Sequence, residues 1–416
     1  MMRKIRKIVK NNRSLFVNFS YLAILRVFVL VLPLITYPYL IRVLGAEFYG
    51  SVVFAQTIIS FFSIVINFGF NISATKEISI ERNNKKKLSE IVSSVIILKF
   101  CLWIGSLIVL LILIFFADFT DDTKLLLMFS FGLCFNELLF PIWFFQGIEE
   151  MKYITYVNIF SKSISLMLIF SVINFKSDFI YVPLINSIGA FLGGIVSLYI
   201  IFAVKKVKFK TQPFHILKGY FYESLPLFGT RVAAQIYVNT SAVIIGLFLG
   251  KIELAYFDLA NKIVAVVKIP INILSQTLFP KVSKEKNILF IKKILRYSSL
   301  IMICLVAVLI IFAKYPILIL GGDKMLPSIE IVRILLLSVI PITFSTFLGT
   351  QVLVTFGHSR FLVKSMSVTS IFYLLSLSIY YYFDGINLFN MALLAVSVEA
   401  FLSLYQYYGC KKHKLI

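Results

Sequence analysis

Residues 18–50 read NFSYLAILRVFVLVLPLITYPYLIRVLGAEFYG, an apolar run interrupted by Arg26 and by two prolines, Pro33 and Pro38, and closing with RVLG at 42–45. The run is long enough to cross a bilayer as a helix, which takes about 20 apolar residues. Lipid offers no partner to a guanidinium or to a carbonyl freed by a proline, so both must be satisfied by protein or by water. The stretch therefore predicts a membrane helix that lines an aqueous interior.

The composition of the whole chain is typical of a polytopic membrane protein. Its 416 residues are 60% hydrophobic and only 14% charged, whereas soluble domains have roughly 25% charged residues. The formal net charge is +22, but the basic residues lie in short loops between apolar spans, where they set membrane orientation, so nucleic acid is not the expected partner. The four cysteines have no CxxC spacing and the three histidines lie far apart, so no disulfide framework, metal site or cofactor is indicated.

Apolar windows of about 20 residues predict an all-α protein with about twelve transmembrane helices. The windows cover residues 16–40, 51–73, 92–117, 125–145, 153–175, 180–204, 225–249, 255–280, 294–313, 329–355, 362–383 and 388–408. The segments between them alternate in charge, with 27 basic residues on one side of the membrane and 6 on the other. The positive-inside rule then predicts that both termini are cytoplasmic.

The longest basic linker, residues 205–220, divides the chain into two halves that resemble each other. LGAEFY at 44–49 is echoed by LGKIELAY at 249–256, and FQG at 145–147 by TFG at 355–357, at an offset of about 205 to 210 residues. Because both halves have the same predicted orientation, the repeat would be parallel. We therefore expect an N-lobe (1–204) and a C-lobe (221–416), each of six helices, around a central cavity.

Ionisable residues inside the spans are the candidates for function. A central Arg, Lys or Asp costs roughly 2.5 to 3.5 kcal/mol in lipid, so most of them should face a cavity or a partner. Polar side chains recur at helical spacing in the fifth span (Asn158, Ser161, Lys162, Ser165) and in the seventh (Arg231, Gln235, Asn239), which predicts a shared aqueous interior. The cations expected in the cavity are Arg26, Lys162, Arg231, Lys268, Lys262 and Arg333.

Structural interpretations of several charges compete with functional ones. Lys99 lies within about two turns of the predicted cytoplasmic face and could extend to the membrane surface. Asp258 with Lys262, and Glu330 with Arg333, have the spacing of ion pairs within one helix. These residues could therefore be structural.

Two acidic residues, Glu137 and Asp258, are candidates for ion coupling. Glu137 stands one turn before Pro141, and it could instead satisfy backbone groups that the proline leaves unpaired. The sequence leaves both interpretations open.

Several motifs resemble those of bacterial O-antigen flippases. The opening of the chain carries PLITYPYL at 33–40, RVLG at 42–45, NFGF at 67–70 and SATKE at 73–77. PIWFFQG at 141–147 matches the end of the family's fourth span, and Tyr256, Ala260, Lys262 and Pro280 fit its eighth. The resemblance runs over essentially the whole chain and is closest in the first half.

The resemblance implies the fold of the multidrug, oligosaccharidyl-lipid and polysaccharide exporter superfamily, with two six-helix bundles in a V that work by alternating access. It implies a flippase in the bacterial inner membrane that moves undecaprenyl-diphosphate-linked O-antigen repeat units to the periplasmic leaflet. It also implies an O-antigen polymerase and a chain-length regulator as partners. The resemblance further implies that the anionic head group is bound by Arg26, Lys162, Arg231 and Lys268. Where family members often carry an acid in the seventh span, this chain has Asn239 and Thr240, so ion coupling at that place is in doubt.

Two other functions remain open from the sequence. A drug or cation exporter could share the fold, although a basic cavity suits an anion. A membrane polysaccharide polymerase would need an extended periplasmic loop, and the predicted far-side loops are short. With no Gly-rich phosphate loop, nucleophile elbow or metal cluster, the sequence indicates a transporter and not an enzyme.

Overall fold

A computed structural model describes the backbone of residues 13–416, and within that range every side chain except those of residues 13–20, 22–24, 26, 27, 30, 280 and 281. This part of the chain is helical and contains no β-strand. The helices of the first half are α1 (Arg13–Asn67), α2 (Phe70–Glu81), α3 (Lys85–Phe116), α4 (Asp121–Phe131), α5 (Phe135–Leu139), α6 (Ile142–Gly147), α7 (Met151–Val172) and α8 (Tyr181–Tyr199). Those that follow are α9 (Phe214–Ile244), α10 (Lys251–Val267), α11 (Ile269–Glu285), α12 (Ile288–Ile311), α13 (Lys314–Gly321), α14 (Ile329–Leu337), α15 (Val339–Thr346), α16 (Ser359–Tyr382) and α17 (Leu388–Lys412).

The helices account for the predicted membrane spans. In the described residues ten helical segments are long and apolar enough to cross a bilayer, or eleven if α10 and the bent segment after it form one span. The first segment, Val31–Glu81, contains both sides of a break at Gly45, so it is not one straight helix. The prediction of an all-α polytopic membrane protein is confirmed.

The break in α1 lies at a glycine and not at the prolines of the opening stretch. The helix continues through Pro33 and Pro38, and the non-helical residue is Gly45, with φ 81° and ψ 170°. Gly250, which precedes α10, has φ 127° and ψ 175°. Glycine adopts such positive φ values without the steric cost other residues meet. The two breaks are 205 residues apart, which agrees with the offset of the predicted repeat.

The chain forms two compact units. Unit 1 contains the described residues up to Leu44 together with Ala55–Arg231, and unit 2 contains Gly45–Phe54 together with Val232–Ile416. The short segment after the Gly45 break therefore packs with the second half of the chain, and the beginning of α9 packs with the first. The lobe boundaries at 204 and 221 remain a prediction.

Small residues allow α7 and α8 of unit 1 to approach closely. Ser161 Oγ donates to the carbonyl of Gly189 at 2.6 Å, and a Cβ added to Gly189 would lie 2.1 Å from Ser165 Oγ. Such contacts between small residues are a common basis of helix association in membranes. Ser161 and Ser165 therefore pack against α8, and the expectation that the whole polar stripe of the fifth span faces an aqueous interior is wrong.

We expect Gly189→Ala to destabilise unit 1 by about 1 to 3 kcal/mol, the usual cost of forcing atoms into a packed contact. The new methyl group would also lie 2.7 Å from the Ser161 carbonyl oxygen, a backbone atom that cannot rotate away. The measurement is the thermal unfolding midpoint of the protein purified in detergent. Gly105→Ala is the matched control, because Gly105 lies within α3 and nothing lies within 4 Å of its added Cβ. Equal midpoints for the two variants would contradict the close approach.

Unit 2 is held together by apolar and polar contacts around a π-helical turn, Phe347–Val354. Leu348, Val352 and Leu353 of this turn pack with Val282 and Cys410 in a buried cluster. A hydrogen bond joins the turn to α11, since the Gln351 amide donates to the Ser275 carbonyl at 2.6 Å. The turn thus anchors α11 and α17 to each other.

Candidate functional site

A buried charge network in unit 1 surrounds the break in the fourth span. Lys99 of α3 is only 1% exposed, and its Nζ donates to the carbonyl of Glu137 at 2.9 Å. In an unbroken helix that carbonyl would accept from the N–H of residue 141, but Pro141 has none. Lys99 therefore supplies the donor that the proline removes. The Glu137 carboxylate lies 4.0 Å from Lys99 Nζ and accepts from Asn67 Nδ2 at 2.7 Å.

The expectation that Lys99 extends to the membrane surface is wrong. Its side chain is drawn inward because the broken helix offers both a free carbonyl and a carboxylate, which together lower the cost of burying the ammonium group. For Glu137, the contacts match the backbone-satisfying interpretation, in which Lys99 acts as the intermediary. Ion coupling by Glu137 stays a prediction.

A second charge network, in unit 2, joins α10 to the segment after the Gly45 break. Lys262 is ion-paired with Asp258 and donates to the hydroxyl of Tyr49 at 2.9 Å. The same hydroxyl donates to Asp258 Oδ2 at 2.8 Å, and Tyr49 is buried. The ion pair predicted from the i,i+4 spacing is therefore present. The roles of Lys262 in head-group binding and of Asp258 in ion coupling stay predictions, with the two charges compensating each other here.

The other predicted pair within a helix, Glu330 with Arg333, does not form in the described structure. Instead the Arg333 Nε donates to the carbonyl of Ile310 at 3.2 Å, and the side chain is otherwise exposed. Arg333 thus ties α14 to the end of α12. Its proposed contact with substrate stays a prediction.

Two predicted cavity cations, Lys162 and Arg231, have no carboxylate partner among the described side chains. Lys162 lies on α7 and Arg231 on α9, and both are exposed on the protein. A cation inside a membrane span that lacks a carboxylate partner needs water or an anionic ligand nearby. Arg26 lies on α1, but its side chain is outside the described residues.

Lys268 lies where α10 gives way to α11, in the bend of about 40° between the two helices. It faces a cavity of about 130 Å³ in unit 2, and Tyr237, Asn261 and Glu399 also line this cavity. No carboxylate lies within 4.0 Å of Lys268 in the described structure, although Glu399 is close enough to interact electrostatically. Lys268 is therefore only partly compensated.

Glu399, an acidic residue of the last predicted span, lines this cavity although it is not among the predicted site residues. No polar stripe around it in the last span pointed to a partner. Its neighbours in the cavity come from α9 (Tyr237), from α10 (Asn261) and from the bend after α10 (Lys268), and they lie near Glu399 only through tertiary structure. A list of all charges in spans was the only signal available.

Apart from Arg333, which donates to a backbone carbonyl, the described cations considered above fall into two groups by their carboxylate contacts. Lys99 and Lys262 are compensated by a carboxylate within their own unit. Lys162, Arg231 and Lys268 have no carboxylate within ion-pair distance in the described part of the chain. The second group can bind an anion without first breaking an existing salt bridge, and a phosphate group is a strong acceptor for such donors.

Sequence comparisons identify relatives along most of the chain. A family model described as "Polysaccharide biosynthesis protein" matches residues 15–286. The chain is 28% identical over 360 residues to a protein of Escherichia coli (strain K12) named "Putative O-antigen transporter", a match that covers 84% of this chain and 86% of that protein. A protein of the same name from Shigella dysenteriae is 24% identical over 365 residues, covering 84% and 89%.

Solved structures of two transporter types share the fold. The lipid II flippase MurJ, in an inward closed conformation, superposes with a TM-score of 0.74 at 16% identity, covering 94% of this chain and 87% of that one. An inward-facing multidrug resistance MATE family transporter of the MOP superfamily gives 0.68 at 14% identity, covering 94% and 98%. At these identities the likeness is one of fold, and it agrees with the predicted fold class of a polytopic all-α transporter.

Proposed function

The chain belongs to the polysaccharide biosynthesis protein family, and from that membership we propose that it is a flippase for undecaprenyl-diphosphate-linked O-antigen repeat units. It would act in the bacterial inner membrane, with both termini in the cytoplasm, and move the units to the periplasmic leaflet by alternating access. The observation that carries the proposal is the set of cations in membrane spans, Lys162, Arg231 and Lys268, that lack a carboxylate within ion-pair distance in the described residues. The names of the relatives support a glycan as cargo.

The electrostatics of the membrane favour export of such a cargo. A diphosphate head group that leaves the cytoplasm moves down the inside-negative potential and gains roughly 2.3 kcal/mol per charge for each 100 mV. The cations compensate the head group while it is out of water, and the polyprenyl tail stays in lipid. The protein therefore has to lower the free-energy barrier that the head group meets in the bilayer, and the membrane potential favours its movement out of the cytoplasm.

Helix breaks provide places where the lobes can move. α1 breaks at Gly45, the fourth span at Phe140 and Pro141, and the eighth span at Lys268. Discontinuous helices near substrate sites are a recurring feature of transporters that alternate access between two sides. Since Lys268 lies at one of these breaks, head-group binding there would be coupled to the bend.

The state of the acidic residues argues against the nearest alternative, a drug or cation exporter of the same fold. Glu137 and Asp258, the predicted acids for a cation, each lie beside a lysine in the described structure. A cationic drug would have to displace those lysines. An anionic cargo needs no such exchange, and the relatives are named as transporters and not as enzymes.

Complementation of a flippase-deficient bacterium tests the proposed function. We expect the chain to restore surface polysaccharide in a strain that makes the matching repeat unit, and to reduce the lipid-linked units that accumulate on the cytoplasmic side. A strain that lacks the O-antigen polymerase is the control, because units should then reach the periplasm without being polymerised. If the chain restores polymer in the polymerase-deficient strain, it is a polymerase. If it restores nothing in the flippase-deficient strain despite normal membrane levels, the proposal is wrong.

An interaction with the polymerase and chain-length regulator is part of the same proposal.

A further inference from the structure

Two histidines that are far apart in the sequence stack against each other in unit 2. His358 precedes the first residue of α16, and His413 follows the last residue of α17. Their ring centroids are 4.0 Å apart and the rings are nearly parallel, at 29°. Phe361 packs edge-on against His413. The pair thus joins the beginning of one membrane helix to the end of the next.

The histidine pair borders an open cavity of about 590 Å³. Arg360 and Lys364, on the first turns of α16, also line this cavity. No Asp or Glu is among its lining residues. The cavity therefore has four side chains that can carry positive charge and no carboxylate to compensate them.

Unit 1 has the same arrangement of backbone at the equivalent place. Glu150 precedes the first residue of α7, as His358 precedes that of α16, and the positions are 208 residues apart. Lys205 ends the sixth span, as His413 ends the twelfth, again at an offset of 208. The residues that follow, Lys206 and Lys414, share a positive φ of 56° and 53°. The two pairs therefore occupy corresponding positions in the two repeats.

The chemistry of the two corresponding pairs differs. In unit 1, Lys205 is ion-paired with Glu150, so a carboxylate of the protein compensates the lysine. In unit 2 the carboxylate and the lysine are both replaced by imidazoles, and Arg360 and Lys364 stand beside them. The carboxylate of Glu150 in unit 1 thus has no counterpart in unit 2. An anionic ligand can bind at the corresponding place.

The pKa of His413 is consistent with a site that has no carboxylate. Burial, together with the nearby His358 and Lys412, lowers the pKa of His413 below its usual value. A bound anion would favour the protonated imidazole, which donates from both ring nitrogens.

We propose that the cavity beside His358 and His413 binds the phosphate group of an anionic lipid head group. Arg360 supplies a planar fork that fits phosphate oxygens, and protonated imidazoles add short charge-assisted hydrogen bonds. The cavity lies at the ends of two membrane helices, the depth at which head groups lie. Tyr407 and Tyr408 are exposed on the last turns of α17. Tyrosine is enriched at the membrane–water interface, so their position agrees with a cavity at head-group depth.

Lipid binding by the full chain in nanodiscs tests the proposal. Native mass spectrometry would count the phosphatidylglycerol molecules retained by the wild type and by Arg360→Gln, in competition with phosphatidylcholine. We expect Arg360→Gln to weaken retention of the tightest-bound phosphatidylglycerol at least about tenfold, since a hydrogen bond to a charged group is lost. His215→Gln is the matched control, because His215 is exposed in unit 1 and lies outside the cavity.

A second variant keeps the test decisive if the histidines also matter for folding. The double substitution His358→Glu and His413→Lys rebuilds the ion pair of unit 1 at the corresponding place. We expect it to fold with an unchanged melting temperature and to lose phosphatidylglycerol retention. If it binds the lipid as the wild type does, the proposal is overturned.

A separate arm distinguishes the two sources of a phosphate group. Inorganic phosphate would be titrated into the protein in phosphatidylcholine nanodiscs, with the melting temperature as the readout. A stabilisation that is lost in both variants, without selective retention of phosphatidylglycerol, would support the phosphate site and identify free phosphate as its ligand. If the substitutions change the binding of neither phosphatidylglycerol nor inorganic phosphate, the cavity is not a phosphate site. None of these outcomes depends on which glycan the chain transports.

Discussion

Replacing Arg231 with alanine should lower transport of a diphosphate-linked glycan by about tenfold or more. Arg231 is exposed on a membrane-spanning helix and has no carboxylate partner among the described side chains. A hydrogen bond to a charged group is worth about 1.5 to 3 kcal/mol, and every 1.4 kcal/mol corresponds to a factor of ten. The measurement is the ratio of surface polysaccharide to accumulated lipid-linked units in a complemented flippase-deficient strain. Lys162→Met should have a similar effect, because the methionine keeps the side-chain length and removes only the charge.

Conservative variants separate charge from structure in this experiment. Arg231→Lys and Lys162→Arg keep the positive charge and should retain most of the transport. Neither position has a salt bridge to break in the described structure, so membrane levels and melting temperatures should stay close to those of the wild type in all four variants. Full transport by Arg231→Ala and Lys162→Met would remove these two cations from the proposed mechanism.

Replacing Lys99 with methionine should destabilise unit 1 by about 3 to 5 kcal/mol, the cost of removing one partner of a buried pair. The substitution leaves the Glu137 carbonyl without a donor, since Pro141 cannot supply one, and leaves the carboxylate with Asn67 as its hydrogen-bond donor. The effect should appear as a large loss of melting temperature and of membrane-inserted protein. Lys162→Met is the matched control, because it makes the same substitution at an exposed and unpaired lysine.

A double-mutant cycle with Glu137→Gln apportions the Lys99 effect. The glutamine removes the carboxylate charge and leaves the backbone carbonyl in place, so Lys99→Met should cost less in its presence. The part of the cost that persists in the double variant measures the hydrogen bond to the orphaned carbonyl. A melting temperature of Lys99→Met equal to that of Lys162→Met would contradict the buried network.

The all-helical membrane fold could be predicted from the sequence, because lipid forces every backbone group to be satisfied within the helix. Hydropathy located the spans, whereas the division into halves at the basic linker, residues 205–220, stays a prediction. Local breaks were harder to predict. Pro33 and Pro38 are accommodated within α1, whereas Gly45 breaks it, because a helix can lose one donor and continue but cannot include a residue with φ 81°.

The site was only partly predictable, because its partners come from distant segments. The Asp258–Lys262 pair followed from spacing within one helix, but the contribution of Tyr49 did not. Lys99 was expected at the membrane surface because the sequence does not show that the carbonyl of Glu137 lies beside it. Glu399 had no partner within reach along its own helix, and its neighbourhood with Lys268 arises from tertiary packing.

A flipping assay with the purified chain in liposomes tests the cationic flippase mechanism directly. An undecaprenyl-diphosphate-linked oligosaccharide would be incorporated into both leaflets, and the fraction accessible to an impermeant probe on the outside would be followed over time. We expect the wild type to make the inner-leaflet pool accessible, Arg231→Ala to slow this at least about tenfold, and Arg231→Lys to retain it. If the wild type leaves the inner pool as inaccessible as in protein-free liposomes, or moves a neutral glycolipid equally well, the cationic flippase mechanism is contradicted.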